Sequence, residues 1–337
     1  MPKLSIQWQH ILSSDEIRRS SQTIAAQDDG MLNIFGGEIV PREPVDGKVY
    51  SLSLVHADAP ISTQEASPQA PSPRVGSAST TLHKKTYLFS GRGGTDMTPI
   101  SENGQLWCHD HTTKTWSPLA PADPSSEYPE ARSYHSMTTD GRDAIYLHAG
   151  CPAQGRLNDL WAFVVSKRKW IRLAPAPGKG MGGTSITFCA AGDCLYRMNG
   201  FDGTAECGGE INLYHPETDS WSTKSFDADG VAGPEARSVS ALLCVQIAAK
   251  CHVVTLFGEH DPSSLGHAGA GKMLRDVWAW DTEEGVWYRV SQEGGAPEAR
   301  GWFAAQKYGD GAVVVHGGLA EDNSRLGDVW VGRLRAE

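Results

Sequence analysis

Short hydrophobic runs recur along the chain at intervals of about 50 residues, and each breaks at a turn of small residues. The turns are Phe35-Gly36-Gly37, Phe89-Ser90-Gly91, His148-Ala149-Gly150, Met198-Asn199-Gly200, Leu256-Phe257-Gly258 and His316-Gly317-Gly318. A bulky residue stands at a fixed place in the run that follows each turn: Tyr50, Trp107, Trp161, Leu213, Trp278 and Trp330. Five units open with Arg19, Arg74, Arg132, Arg237 or Arg300, and four close with Trp116, Trp170, Trp221 or Trp287. The fourth unit has Gly182-Gly183 where the Arg is due. Such runs read as strands. Ser14-Asp15-Glu16-Ile17 starts at most a turn of helix, and no stretch keeps a helical period long enough for a helical domain.

A repeat of this length, with a glycine pair and late aromatics, resembles the kelch family along the whole chain. That resemblance implies an all-β, six-bladed propeller, each blade a four-stranded antiparallel sheet unable to bury both faces alone. The glycines let the second strand end in a tight bend at positive φ, and the aromatics fill the wedge between blades. Blades are expected at about 15–56, 74–120, 132–174, 182–226, 237–291 and 300–337. The sixth unit stops after Trp330 without a fourth strand, while Ile6-Gln7-Trp8-Gln9-His10-Ile11 alternates with a Trp where a fourth-strand Trp belongs. Residues 4–12 are therefore expected to complete blade six and remove the exposed sheet edges.

Composition narrows the classes. A formal charge of −10 argues against a nucleic-acid surface, which needs clustered Lys and Arg. The only basic run, Lys167-Arg168-Lys169, reads as a solvated hairpin tip. No segment has the length and apolarity of a signal peptide or a membrane span, and seven cysteines without a CxxC pair fit a reducing compartment, so a cytoplasmic protein is expected. Ala57 to Pro73, rich in Ala, Ser and Pro, reads as a mobile loop.

The residue after each turn starts the loop between second and third strands, so the repeat places Glu38, Arg92, Cys151, Phe201, Glu259 and Leu319 around one mouth of the channel. Two loops are elaborate, Phe35 to Asp46, which includes Arg42, and Phe257 to Lys272, and Ser90 to Thr95 of the second unit joins them. These stretches resemble the plant specifier proteins of glucosinolate breakdown, six-bladed kelch proteins that divert an unstable aglucone using ferrous iron held by Glu, Asp and His at four-residue steps. The resemblance implies Glu259 and His267 as Fe(II) ligands. Ser263 stands where the family has Asp, and Asp261 is the nearby substitute. It further implies that Arg92 holds the anionic leaving group, with bidentate geometry suited to it. For His267 a hydrogen bond to a backbone carbonyl is the competing reading, and for Cys151 a small buried hydrophobe.

Trp302, following Arg300-Gly301, is bulkier than its counterparts Ser21, Gly76, Tyr134 and Val239. It serves either as a wall for a flat ligand, with Phe201 and Leu319, or as inter-blade packing. The resulting expectation is a small-molecule enzyme that steers a reactive intermediate as a lyase, isomerase or cyclase of secondary metabolism without a redox cofactor. Arg92, Glu38, Glu259 and His267 would do the chemistry, and Trp302, Phe201, Cys151, Leu319 and Arg42 would bind the substrate. The alternative is a non-enzymatic scaffold that binds a protein or peptide at its rim.

Overall fold

The computed structural model describes residues 3–265 and 269–337. Six antiparallel sheets are arranged as a propeller, with blades spanning 23–64, 78–119, 136–173, 185–225, 241–289 and 304–336. Leu4–Ser13 pairs antiparallel with Arg325–Ala336, Leu4 opposite Ala336 and Ser13 opposite Asp328, and so supplies the fourth strand of blade six. Ser291–Glu293, beyond the end of blade five, adds to the outer side of that strand in parallel. Ser14 caps a single 3₁₀ turn, Asp15–Ile17. Ala57 to Pro73 departs from its expectation: Ser62–Gln64 within it is the fourth strand of blade one, with Thr63 opposite Tyr50.

The repeated residues have a common task. Arg74, Arg132, Arg237 and Arg300 are almost fully buried, and each forks onto a carboxylate of its own blade, Glu102, Asp159, Asp276 or Asp328. The same carboxylates accept the indole N–H of Trp107, Trp161, Trp278 and Trp330. Each Arg also donates to the carbonyl of the small-residue turn, at Ser90, Ala149, Phe257 and Gly317. A buried charge is tolerated when fully paired in this way. Blade one keeps the turn contact, Arg19 to Gly36 O, but lays the guanidinium over the Tyr50 ring at 4.4 Å. In blade four Met181 takes the Arg position, and Arg197 from the adjacent strand reaches its sulfur and Asn212.

At every turn two consecutive residues hold positive φ, from Gly36-Gly37 to Gly317-Gly318, including Phe257 at 55°. This bend sends the chain over the upper face of the propeller, the end of the channel where second strands finish. The residue just beyond it forms an isolated bridge to the start of the blade: Ser20 to Glu38, Val75 to Arg92, Ser133 to Cys151, Gly182 to Phe201, Ser238 to Glu259 and Gly301 to Leu319.

Candidate active site on the upper face

Next along each chain from these bridges come Ser21, Gly76, Tyr134, Gly183, Val239 and Trp302, all at φ between 44° and 64°. Each donates its N–H to the carbonyl of the preceding member, from Ser21 to Trp302 O round to Trp302 to Val239 O, at 2.7 to 3.2 Å. Six backbone hydrogen bonds thus close a collar around the upper end of the channel. Below it the channel widens into a cavity of about 1220 Å³ lined by the first strands and opening among the hairpins of the lower face. Of the described residues expected to form one pocket, only Trp302 lines this cavity; Glu38, Arg42, Arg92, Cys151, Phe201, Glu259 and Leu319 do not. The physical reason is the collar, which stands between the bridge residues and the channel.

Above the collar, Glu38 is buried and receives the Arg42 N–H at its Oε2, 2.7 Å. Arg325, opposite Leu319 across the strand pair, lies 3.5 Å from its Oε1. Burial raises the Glu38 carboxyl above the ordinary range, opposed by the Arg42 N–H and the Arg325 charge. Leu319 is buried. Arg92 Nε donates to Ser133 Oγ at 2.7 Å, Nη1 to Met97 O and Nη2 to Pro152 O, so the guanidinium braces blade two against blade three. Nη2 also approaches Cys151 O at 3.5 Å, and the half-buried side chain is held in place by these contacts.

A different group converges at blades three to five. The Arg156 guanidinium lies over the Phe201 ring at 4.9 Å, and its Nε is buried without a hydrogen-bond partner. Gly203 makes this possible, since a Cβ there would come within 2.6 Å of Arg156 Nη1. Phe201 pairs directly with Glu206. Both Glu206 oxygens are buried without a well-formed hydrogen bond, and burial lifts the carboxyl to about 8. Ser238 and Arg156 pull it back, while the Glu259 charge pushes it further up. Glu259, also buried, is raised to about 7 by burial, with the Gly271 N–H 2.8 Å from Oε1 working the other way. Cys151 adjoins the group, its thiol raised by burial.

Two buried carboxyls raised by burial, a guanidinium and an aromatic ring thus meet on the upper face. Arg156 and Glu206 were not singled out from the sequence. Each lies five residues past an aligned position, Cys151 and Phe201, but the same count gives Glu43, Met97, Ser264 and Ser324 in the other blades, so the repeat does not mark them.

The Fe(II) ligand set is not assembled by the described residues. Glu259 is buried, but the Asp261 side chain is 70% exposed and faces His260 Nε2 at 3.7 Å. A strand irregularity between Glu259 and Asp261 separates them, and His260 Nδ1 is taken by Ala236 O. His267 lies outside the described residues.

Comparison with known proteins agrees with this architecture. A family model, the KLHDC2/KLHL20/DRC7 Kelch-repeats domain, matches residues 20–258. The "N-(sulfonatooxy)prop-2-enimidothioate sulfolyase" of Thlaspi arvense is 30% identical over 93% of this chain and 91% of its own length. The chain therefore belongs to the kelch-repeat family. Within it, the chain is similar to a sulfolyase over nearly its whole length, in line with the specifier-type resemblance. Kelch domain-containing protein 2 of Bos taurus is 30% identical over a shorter stretch, 30% of this chain and 23% of that protein. The solved structure of YjhT shares the fold at a TM-score of 0.71 and 14% identity, covering 95% of this chain and 96% of that one.

Proposed function

We propose that this protein is a lyase-type enzyme that steers an unstable small organic anion, of the N-sulfonatooxy imidothioate kind or a close analogue, on the upper face. The observation that carries this is the pairing of Glu206 and Glu259, two buried carboxyls raised to about 8 and about 7, beside Arg156. The 30% identity to a sulfolyase supports the reaction class. Burial favours the protonated form of both carboxyls, and the Glu259 charge adds to the effect on Glu206. Loss of an anionic leaving group such as sulfate puts negative charge on the departing oxygen. Arg156, its guanidinium laid over Phe201, meets that charge with its N–H donors. Phe201 holds the organic part, and the carboxyl pair delivers or accepts the proton that decides which product forms.

The test is to generate an N-sulfonatooxy imidothioate in situ with and without the purified protein, and to compare the products with those of spontaneous breakdown. A changed product distribution that disappears with Glu259→Gln and Glu206→Gln is expected. Products identical to the spontaneous mixture across a series of such substrates would end the proposal.

A further inference from the structure

The lower face carries a second concentration of chemistry, unrelated to the upper-face site. Cys189 ends the first strand of blade four, while Cys244 and Cys251 belong to the first hairpin of blade five. Cys244 pairs with Val253 and Gln246 with Cys251, so the hairpin folds Cys251 back beside Cys244. The neighbouring blade brings in Cys189, and the three Sγ atoms lie within 4.8 Å of one another. Among the described residues, no other group of three His, Cys, Asp or Glu side chains has ligand atoms so close. Cys244 and Cys251 also line the channel cavity, so the cluster is reached from it.

We propose that Cys189, Cys244 and Cys251 form a three-thiolate site for a single thiophilic metal ion, Cu(I) or Zn(II), at the junction of blades four and five. An ion about 2.3 Å from each sulfur sets the sulfurs about 4 Å apart, within reach of the observed spacing by small side-chain rotations. Simple packing needs no such convergence of three thiols from three strands, whereas thiolates select soft ions over hard ones. The Cys244 thiol hydrogen-bonds to Cys189, as do the Gly192 and Ala191 N–H groups. These backbone donors belong to a fixed turn and would steady the ligand as outer-shell partners do. Tyr196, Trp280 and Trp287 pack in the same cluster as Cys189 and keep its far side dry. Three thiolates satisfy Cu(I) as they stand. Zn(II) would draw a fourth ligand from the cavity, the arrangement of an open rather than a closed zinc site.

The experiment uses the full chain, reduced with a phosphine and held without oxygen. One sample is titrated with Zn(II) against a chromophoric chelator, another with Cu(I) against a Cu(I)-specific chelator, and free thiols are counted before and after. One ion per chain in at least one arm, with three of the seven thiols protected, is expected. Uptake of Cu(I) alone identifies the three-coordinate site, and uptake of Zn(II) the site completed from the cavity. Cys189→Ser and Cys251→Ser should each weaken binding by at least about 10-fold, while Cys207→Ser should leave it intact. Should thermal melting show Cys189→Ser to be unfolded, Cys251→Ser at the cavity wall decides. No stoichiometric uptake in either arm, uptake indifferent to both substitutions, or an ion-free protein that merely oxidises to a Cys189–Cys244 disulfide would each overturn the assignment.

Discussion

Arg92 and Arg156 both reach the upper face, and the state of their donors separates their roles. Arg92 donates to Ser133, Met97, Cys151 and Pro152. Arg92→Ala should therefore lower the unfolding free energy by about 2 kcal/mol, the scale of charge-assisted hydrogen bonds lost, and any change in turnover should follow the loss of fold. Arg156 keeps Nε unspent, so Arg156→Ala should reduce kcat/KM by roughly 30-fold at nearly unchanged melting temperature; equal effects of the two substitutions on both measurements would refute this division. Glu259 supplies a pH signature. Its folded-state value, about 7, exceeds the ordinary 4.5, so the folded protein binds the extra proton between these limits, and the stability it contributes is lost as pH rises through about 7. Glu259→Gln keeps an oxygen for the Gly271 N–H and removes the ionisation. Urea unfolding from pH 5 to 8 should show a flatter profile in the variant, with a relative gain of roughly 2–3 kcal/mol at pH 8.

Among the elements, the closing strand Leu4–Ser13 was legible because its Trp must fill the same wedge as the other fourth-strand aromatics. Trp8 is buried, stacks on Phe257 at 5.9 Å and donates its indole N–H to Gln292 Oε1. Trp8→Ala should cost about 3–5 kcal/mol in chemical denaturation, and a value under 1 kcal/mol would show that closure does not depend on it. Blade one's fourth strand was illegible for the matching reason. With Thr63 opposite Tyr50, the same register puts Ile61 where other blades offer Trp, beside a stretch whose composition reads as loop. The six bridge residues could be aligned because positive φ and close approach restrict the turn before them, yet that alignment fixes only where the backbone goes. It places Glu38, Arg92, Cys151, Phe201, Glu259 and Leu319 alike, while what each side chain touches differs from blade to blade. Arg156 and Glu206 answer to no repeat, because their place is set by the particular loop of each blade.

Across the whole molecule, the collar of six hydrogen bonds divides the channel into two environments. Above it lie Glu38, Arg92, Arg156, Glu206 and Glu259; below it lies the large cavity with the Cys189, Cys244 and Cys251 cluster at its wall. Tyr134 marks the division. Its backbone belongs to the collar, and its phenol, raised strongly by burial, senses Glu38, Cys151 and Arg92. Gly76 gives the ring room, as a Cβ there would meet its carbons at 3.0 to 3.1 Å. If chemistry belongs to the upper compartment, filling the lower one should not matter. Ser79 lies on the cavity wall, in the first strand of blade two, and is half-buried. Ser79→Trp places an indole in open space, where a cavity of about 1220 Å³ can take it without overpacking. Turnover by this variant should stay within about twofold of the parent, a difference under about 0.5 kcal/mol in barrier. A loss of 10-fold or more with the fold intact would mean that substrate occupies the channel itself, and the acid–base role of Glu206 and Glu259 would have to be given up.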